Sequence, residues 1–98
     1  MTIVNLKEYA PIISDKEAGN TIYSKIKSVL ENNEIVTVDF SSMISMATFC
    51  AKQIFGQLYV ELGGTDFFTR IIIKNANDNI KTIINEGIES ALNSGKKP

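Results

Sequence analysis

Apolar positions along the chain switch between the two-residue spacing of strands and the roughly 3.6-residue spacing of helices, and the switches mark out the elements. The clearest stretch is Ile35 to Leu62. Ile35, Val36, Val38 and Phe40 are apolar on both sides of a pleat, the pattern of a central strand in a sheet covered by helices. Ser41 to Met46 reads as a polar loop. A helix is predicted from Ala47 to Leu62, with Phe49, Ile54, Phe55, Leu58, Tyr59 and Leu62 as a broad apolar stripe. Gly63-Gly64 ends it, because glycine supplies the positive φ of a C-terminal cap.

Upstream, Thr2 to Leu6 is short, β-branched and alternating, and reads as an edge strand running antiparallel. Pro11 cannot donate to a ladder and breaks it; Ile12 and Ile13 form a second, very short strand. Ser14 to Glu17 carries a capping-box pattern, with Ser14 accepting from the Glu17 N–H and Asp15 placing negative charge at the positive end of the dipole. That helix runs to about Asn32, with Ala18, Ile22, Tyr23, Ile26, Val29 and Leu30 on one face. Gly19 inside it costs about 1 kcal/mol relative to alanine. Close packing against a strand explains it, and so does close approach of a partner backbone.

Downstream, Thr65 to Phe67 reads as a turn and Phe68 to Lys74 as a second buried strand. Asn77 or Asp78 caps a last helix whose apolar face is Ile80, Ile83, Ile84, Ile88, Ala91 and Leu92. Residues 93–98 form a frayed polar tail. Two consecutive β-α units predict a parallel pair joined by a right-handed crossover. The expected class is α/β: one domain over residues 1–98 with its core in 12–92, a mixed central sheet of about four strands and three packed helices.

Composition narrows the functions. A chain of 98 residues holds one domain and buries roughly 60–70% of its unfolded surface, enough for a core without metal or disulfide. Ten basic against eleven acidic residues argue against nucleic acid, which calls for a basic patch. The single Cys50 forbids an intramolecular disulfide and suits a reducing cytoplasm. The absence of histidine removes the commonest general base and zinc ligand. No apolar run approaches the ~20 residues of a membrane span, and the N-terminus lacks the look of a signal peptide.

Candidate chemistry is sparse. Neither strand–helix loop carries a glycine-rich phosphate motif, so no cofactor is expected. Cys50 lies in the first turn of a predicted helix, where a dipole activates a thiol, but its apolar neighbours and the lack of histidine favour a buried, inert side chain. Asp39 ends a buried strand; an acid, base or metal ligand is one reading, and a carboxylate accepting loop N–H groups is the favoured one. Ser41, Ser42, Ser45 and Thr48 form the densest hydroxyl run. Capping is their structural role; phosphorylation at the helix start is the functional alternative. Met43, Ile44 and Met46 suit either a protein contact or a loop folded onto the core.

The stretch VDFSSMISMATFCAKQIFGQL, residues 38–58, resembles the core motif of the STAS-like family of bacteria. Asp39-Phe40 matches its strand end, and Thr48-Phe49 its hydroxyl–phenylalanine helix start. Ser14 with Gly19 and Lys74 to Asn77 resemble its preceding helix start and third-strand exit, so the likeness covers about residues 12–92. The resemblance implies a non-enzymatic interaction domain like an anti-sigma factor antagonist. Carried onto this chain, the resemblance implies docking of a GHKL-type ATPase or serine kinase through residues 41–52, namely Ser41, Ser42, Met43, Ile44, Ser45, Met46, Thr48 and Lys52. Thr48, then Ser45, is the implied phosphorylation site, although the family's usual Asp-Ser-Ser-Gly is replaced here by Met46-Ala47-Thr48-Phe49. The alternatives are a small nucleotide-binding protein or enzyme using Asp39 and the same loop, and a homo-oligomeric or phage- or defence-associated adaptor.

Overall fold

A computed structural model describes residues 2–95. The elements run β1 (Thr2–Asn5), a 3-10 turn (Lys7–Tyr9), β2 (Ile12–Ile13), α1 (Lys16–Asn32), β3 (Val36–Asp39) and β4 (Ser45–Met46). They continue with α2 (Thr48–Ala51), a π-helical segment (Lys52–Gly56), α3 (Gln57–Leu62), α4 (Gly64–Arg70), β5 (Ile71–Lys74) and α5 (Asp78–Gly95).

The main sheet has the order β1-β3-β5 with both pairs parallel. Val4, Val38 and Ile73 form one cross-strand row and Ile3, Thr37 and Ile72 the next. Adjacent rows point to opposite faces. Val4 and Val38 are buried while Ile3 and Ile72 are exposed, so the apolar core lies on the Val4–Val38 side. β2 and β4 make a separate two-stranded parallel sheet, with Ile12 opposite Ser45 and Ile13 opposite Met46.

Two small parallel sheets therefore replace the expected mixed sheet of about four strands, and among the described residues four helices, counting α2 to α3 as one, replace the expected three, because Gly64 to Arg70 is helical. Thr2–Asn5 is an edge strand, but it runs parallel, because α1 carries the chain back to the end from which β1 started. The stretch read as loop from Ser41 to Met46 contains β4. Asp15, not Ser14, caps α1, its Oδ1 accepting from the Ala18 N–H at 2.8 Å. α5 extends through Asn93 to Gly95 rather than fraying there. Met1 and Lys96 to Pro98, the rest of the expected tail, lie outside the described residues.

The strand read from Phe68 begins at Ile71; the turn expected over Thr65 to Phe67 and the residues Phe68 to Arg70 are together the helix α4. Long-range contacts decide this. The Phe67 ring packs 5.4 Å from that of Tyr59. Arg70 reaches back to the end of α1, donating to the Leu30 carbonyl at 2.8 Å, Asn33 at 3.1 Å and Glu34 at 2.9 Å. A guanidinium at a helix C-terminus satisfies carbonyls left without intrahelical partners.

The helix expected over Ala47 to Leu62 covers that stretch with a π turn in its middle. α5 crosses it there, backbone against backbone. A Cβ on Gly87 would stand 2.6 Å from the Ala51 carbonyl carbon and the Lys52 nitrogen, and one on Gly56 would stand 2.7 Å from the Gly87 carbonyl oxygen. Gly63 closes α3 with φ of +85° and its N–H on the Tyr59 carbonyl, the C-terminal cap its sequence position predicts. Gly19 is explained by close packing, although the neighbour is the Gln53 side chain rather than a strand. Among the described residues no helix is long and apolar enough to cross a membrane.

Candidate functional site

The loop between β3 and α2 leaves the carboxyl end of the central strand, the edge at which open α/β sheets place their sites. Sheet bonding continues one residue past β3, with the Phe40 N–H donating to the Lys74 carbonyl at 2.9 Å. The Met43 N–H then closes a turn on the Phe40 carbonyl at 2.9 Å. From there the loop is tied on two sides. Ile44 and Ser45 donate their N–H groups to the Pro11 carbonyl at 2.8 and 3.3 Å, and the Ala47 N–H donates to Ile13 at 2.8 Å. From the start of α5, Asn77 Nδ2 donates to the Ile44 carbonyl at 3.1 Å and Asn79 Nδ2 to Ser45 Oγ at 3.1 Å. Asn77 also caps α5, its Oδ1 accepting from the Ile80 N–H at 2.8 Å.

This anchoring sorts the sequence candidates. Met43 and Met46 are turned into the core, at 5% and 3% exposure, so neither offers a contact surface. The thioether side chains fill space beneath the loop, the use to which methionine is suited. Ile44 between them is 61% exposed. Ser41 and Ser42 are exposed, while Ser45 is half-buried and held by Asn79. Thr48 is exposed at the first position of α2, and its hydroxyl has no hydrogen-bond partner among the described residues. Lys52 is half-buried, with Nζ donating to Ser94 Oγ at 2.7 Å.

Phe49 departs from its expected place on the apolar stripe: it is 53% exposed. The buried stripe is Cys50, Ala51, Ile54, Phe55 and Leu58. Phe49 lies on the neighbouring line with Gln53, Gln57 and Val60, so its spacing from Ile54 already sets it apart. Cys50 is fully buried, its thiol directed at the Asp15 carbonyl at 3.5 Å. Burial, followed by the charge of Asp15, pushes its pKa up, which is the opposite of an activated nucleophile.

Asp39 accepts from the Ser41 N–H at 2.9 Å and from Asn75 Nδ2 at 3.0 Å through the same Oδ1. It is thus the loop-bonded carboxylate, joining the turn after β3 to the turn after β5. The Asn75 hydrogen bond, then the Ser41 N–H, holds its carboxyl below the usual aspartate range. A depressed folded pKa gives a stabilising contribution that is complete above the unfolded value and disappears as pH falls through the folded one. Asn75→Ala is accordingly expected to raise the Asp39 midpoint toward that of an ordinary aspartate, read from its carboxyl carbon shift in an NMR titration. An unmoved midpoint would assign the depression to another group. Among the described residues no group of three or more acidic or cysteine side chains is placed to hold a metal ion.

A family model described as a STAS-like domain of unknown function (DUF4325) matches residues 18–81. The match contains β3, the loop, β4, the helix beyond it and β5, whereas β2, the strand that anchors β4, lies before it. No curated protein and no solved structure matches the chain.

Proposed function

The chain belongs to the STAS-like domain family, and from that premise we propose that it is a non-enzymatic protein-interaction domain. Its docking edge is the loop and helix start, residues 41–52, and its partner is a kinase-type ATPase. The observation that carries this reading is the display of Ile44 on a loop tied to two other segments of the chain, with Thr48 and Phe49 exposed at the start of the helix that follows it. An exposed apolar pair on an anchored loop and the helix start beyond it presents a preformed contact surface with little conformational entropy left to lose.

Phosphorylation of Thr48 is the proposed switch. Its hydroxyl is exposed and has no hydrogen-bond partner among the described residues, whereas Ser45 is engaged by Asn79, which ranks Thr48 ahead. A phosphate adds about −1.5 to −2 charge at neutral pH and would sit in the middle of the docking edge. Thr48→Glu is therefore expected to lower affinity for the proposed kinase-type ATPase partner at least about tenfold, near 1.4 kcal/mol. Calorimetry with the purified pair measures it, and mass spectrometry after incubation with ATP locates any added phosphate. Unchanged affinity for both Thr48→Glu and Ile44→Asp would remove this edge as the contact; phosphate on another residue would remove the switch.

A further inference from the structure

Beside the docking edge runs a groove of about 650 Å³. Phe49, Gln53, Gln57 and Val60 form one long side, α1 contributes Lys16, and α5 contributes Ala91 and Ser94. Phe49 and Val60 are both about half exposed, at 53% and 52%, and are the first and last lining residues along that side. Along a helix their separation is about 16 Å, close to three turns at about 1.5 Å per residue. Lys16 and Lys52 supply the charge. No acidic residue lines the groove, and among the described residues neither lysine forms an ion pair. Lys52 is held in place by Ser94.

Apolar ends three helical turns apart with unpaired cations between them complement one kind of guest. We propose that the groove seats an acidic amphipathic helix of the partner, its apolar stripe on Phe49 and Val60 and its carboxylates on Lys16 and Lys52. This rests on the reading of residues 41–52 as a docking edge and gives the partner segment a chemistry. It also gives the Thr48 switch a mechanism. The Lys52 N–H donates to the Thr48 carbonyl in helical geometry, so the two side chains are neighbours on one face. A phosphate on Thr48 would pair with Lys52 within the chain and repel the carboxylates of the guest.

The test uses the whole chain and a labelled synthetic peptide of about 18 residues, longer than the groove at about 1.5 Å per residue. The peptide carries leucines at i, i+4, i+7 and i+11, spanning the same three turns, with glutamates and alanines elsewhere; its control carries lysines in place of the glutamates. Fluorescence anisotropy should show the acidic peptide binding at least about tenfold more tightly than the control, and losing affinity as salt rises. Phe49→Ala and the double change Lys16→Glu with Lys52→Glu should each weaken it about tenfold, as loss of an anchor does. Circular dichroism confirms that these surface variants fold. Equal binding of the two peptides, absence of binding, or indifference to the variants would overturn the proposal. The ATPase then separates this idea from the broader one. If Thr48→Glu impairs the ATPase and the double lysine variant does not, the docking edge stands and the groove falls. If the lysine variant impairs it and Thr48→Glu does not, the groove stands and the switch falls.

Discussion

Phe55→Ala is expected to destabilise the fold by about 3–5 kcal/mol, the cost of deleting a buried aromatic ring and leaving part of its cavity. Phe55 is fully buried within the π segment, and its ring lies 5.9 Å from that of Phe40 at a 37° tilt. Phe40 follows the central strand directly, so this ring pair joins the sheet to the helix that carries the docking edge. Against a total stability of about 5–15 kcal/mol for a domain, the loss would remove a large share. Urea denaturation of the two proteins measures it. Phe49→Ala is the internal control: it removes the same side chain from an exposed position and should change stability by about 0.5 kcal/mol or less. Similar losses for the two would contradict the burial on which the site assignment depends.

Gly87→Ala should destabilise by about 1–3 kcal/mol, the range for overpacking a close-packed site. Here the sign itself is informative. In an open helix the same change stabilises by about 1 kcal/mol, since glycine is the poorer helix former. At Gly87 the added methyl would meet the Ala51 carbonyl carbon and the Lys52 nitrogen at 2.6 Å. Those are backbone atoms and cannot rotate away as a side chain can. α5 would have to move off the π segment, taking with it the Ser94 and Ala91 wall of the groove. A thermal melt showing Gly87→Ala as stable as the parent would mean that the two backbones do not approach this closely.

Much of the fold was legible because local patterns specified it. The β3 segment Val36 to Asp39 reads from its β-branched run, α1 from its apolar repeat, and the break at Gly63 from its need for positive φ. The Asp15 cap was misplaced by one residue because Ser14 and Asp15 are equally good caps; the chain leaving β2 decides between them. The strand start at Ile71 was hidden by Phe68, whose β propensity is overridden by the Phe67–Tyr59 contact and the Arg70 bonds to α1. At the candidate site, Asp39 was legible as a loop acceptor, and Thr48 stood out through the family resemblance. Asn75, Asn77 and Asn79, which tie the loop down, carried no signal for that role, since asparagine after a strand is an ordinary turn residue.

The sequence alone determined the α/β class, the STAS-like membership and the position of the loop between central strand and helix. Tertiary structure alone decided the parallel direction of β1, the small β2–β4 sheet, the π turn, and which side chains of the loop face outward. The physical reason is range. Periodicity reports which residues of one segment share a face, because side chains repeat at fixed angles along a strand or helix. It does not report what the face meets. Met43 and Met46 are inward, and Ile44 outward, because Ile12 and Ile13 pair with Ser45 and Met46 from a distant part of the chain. The crossing of α5 over the π segment depends likewise on two glycines, Gly56 and Gly87, whose lack of a side chain has meaning only once they are brought together.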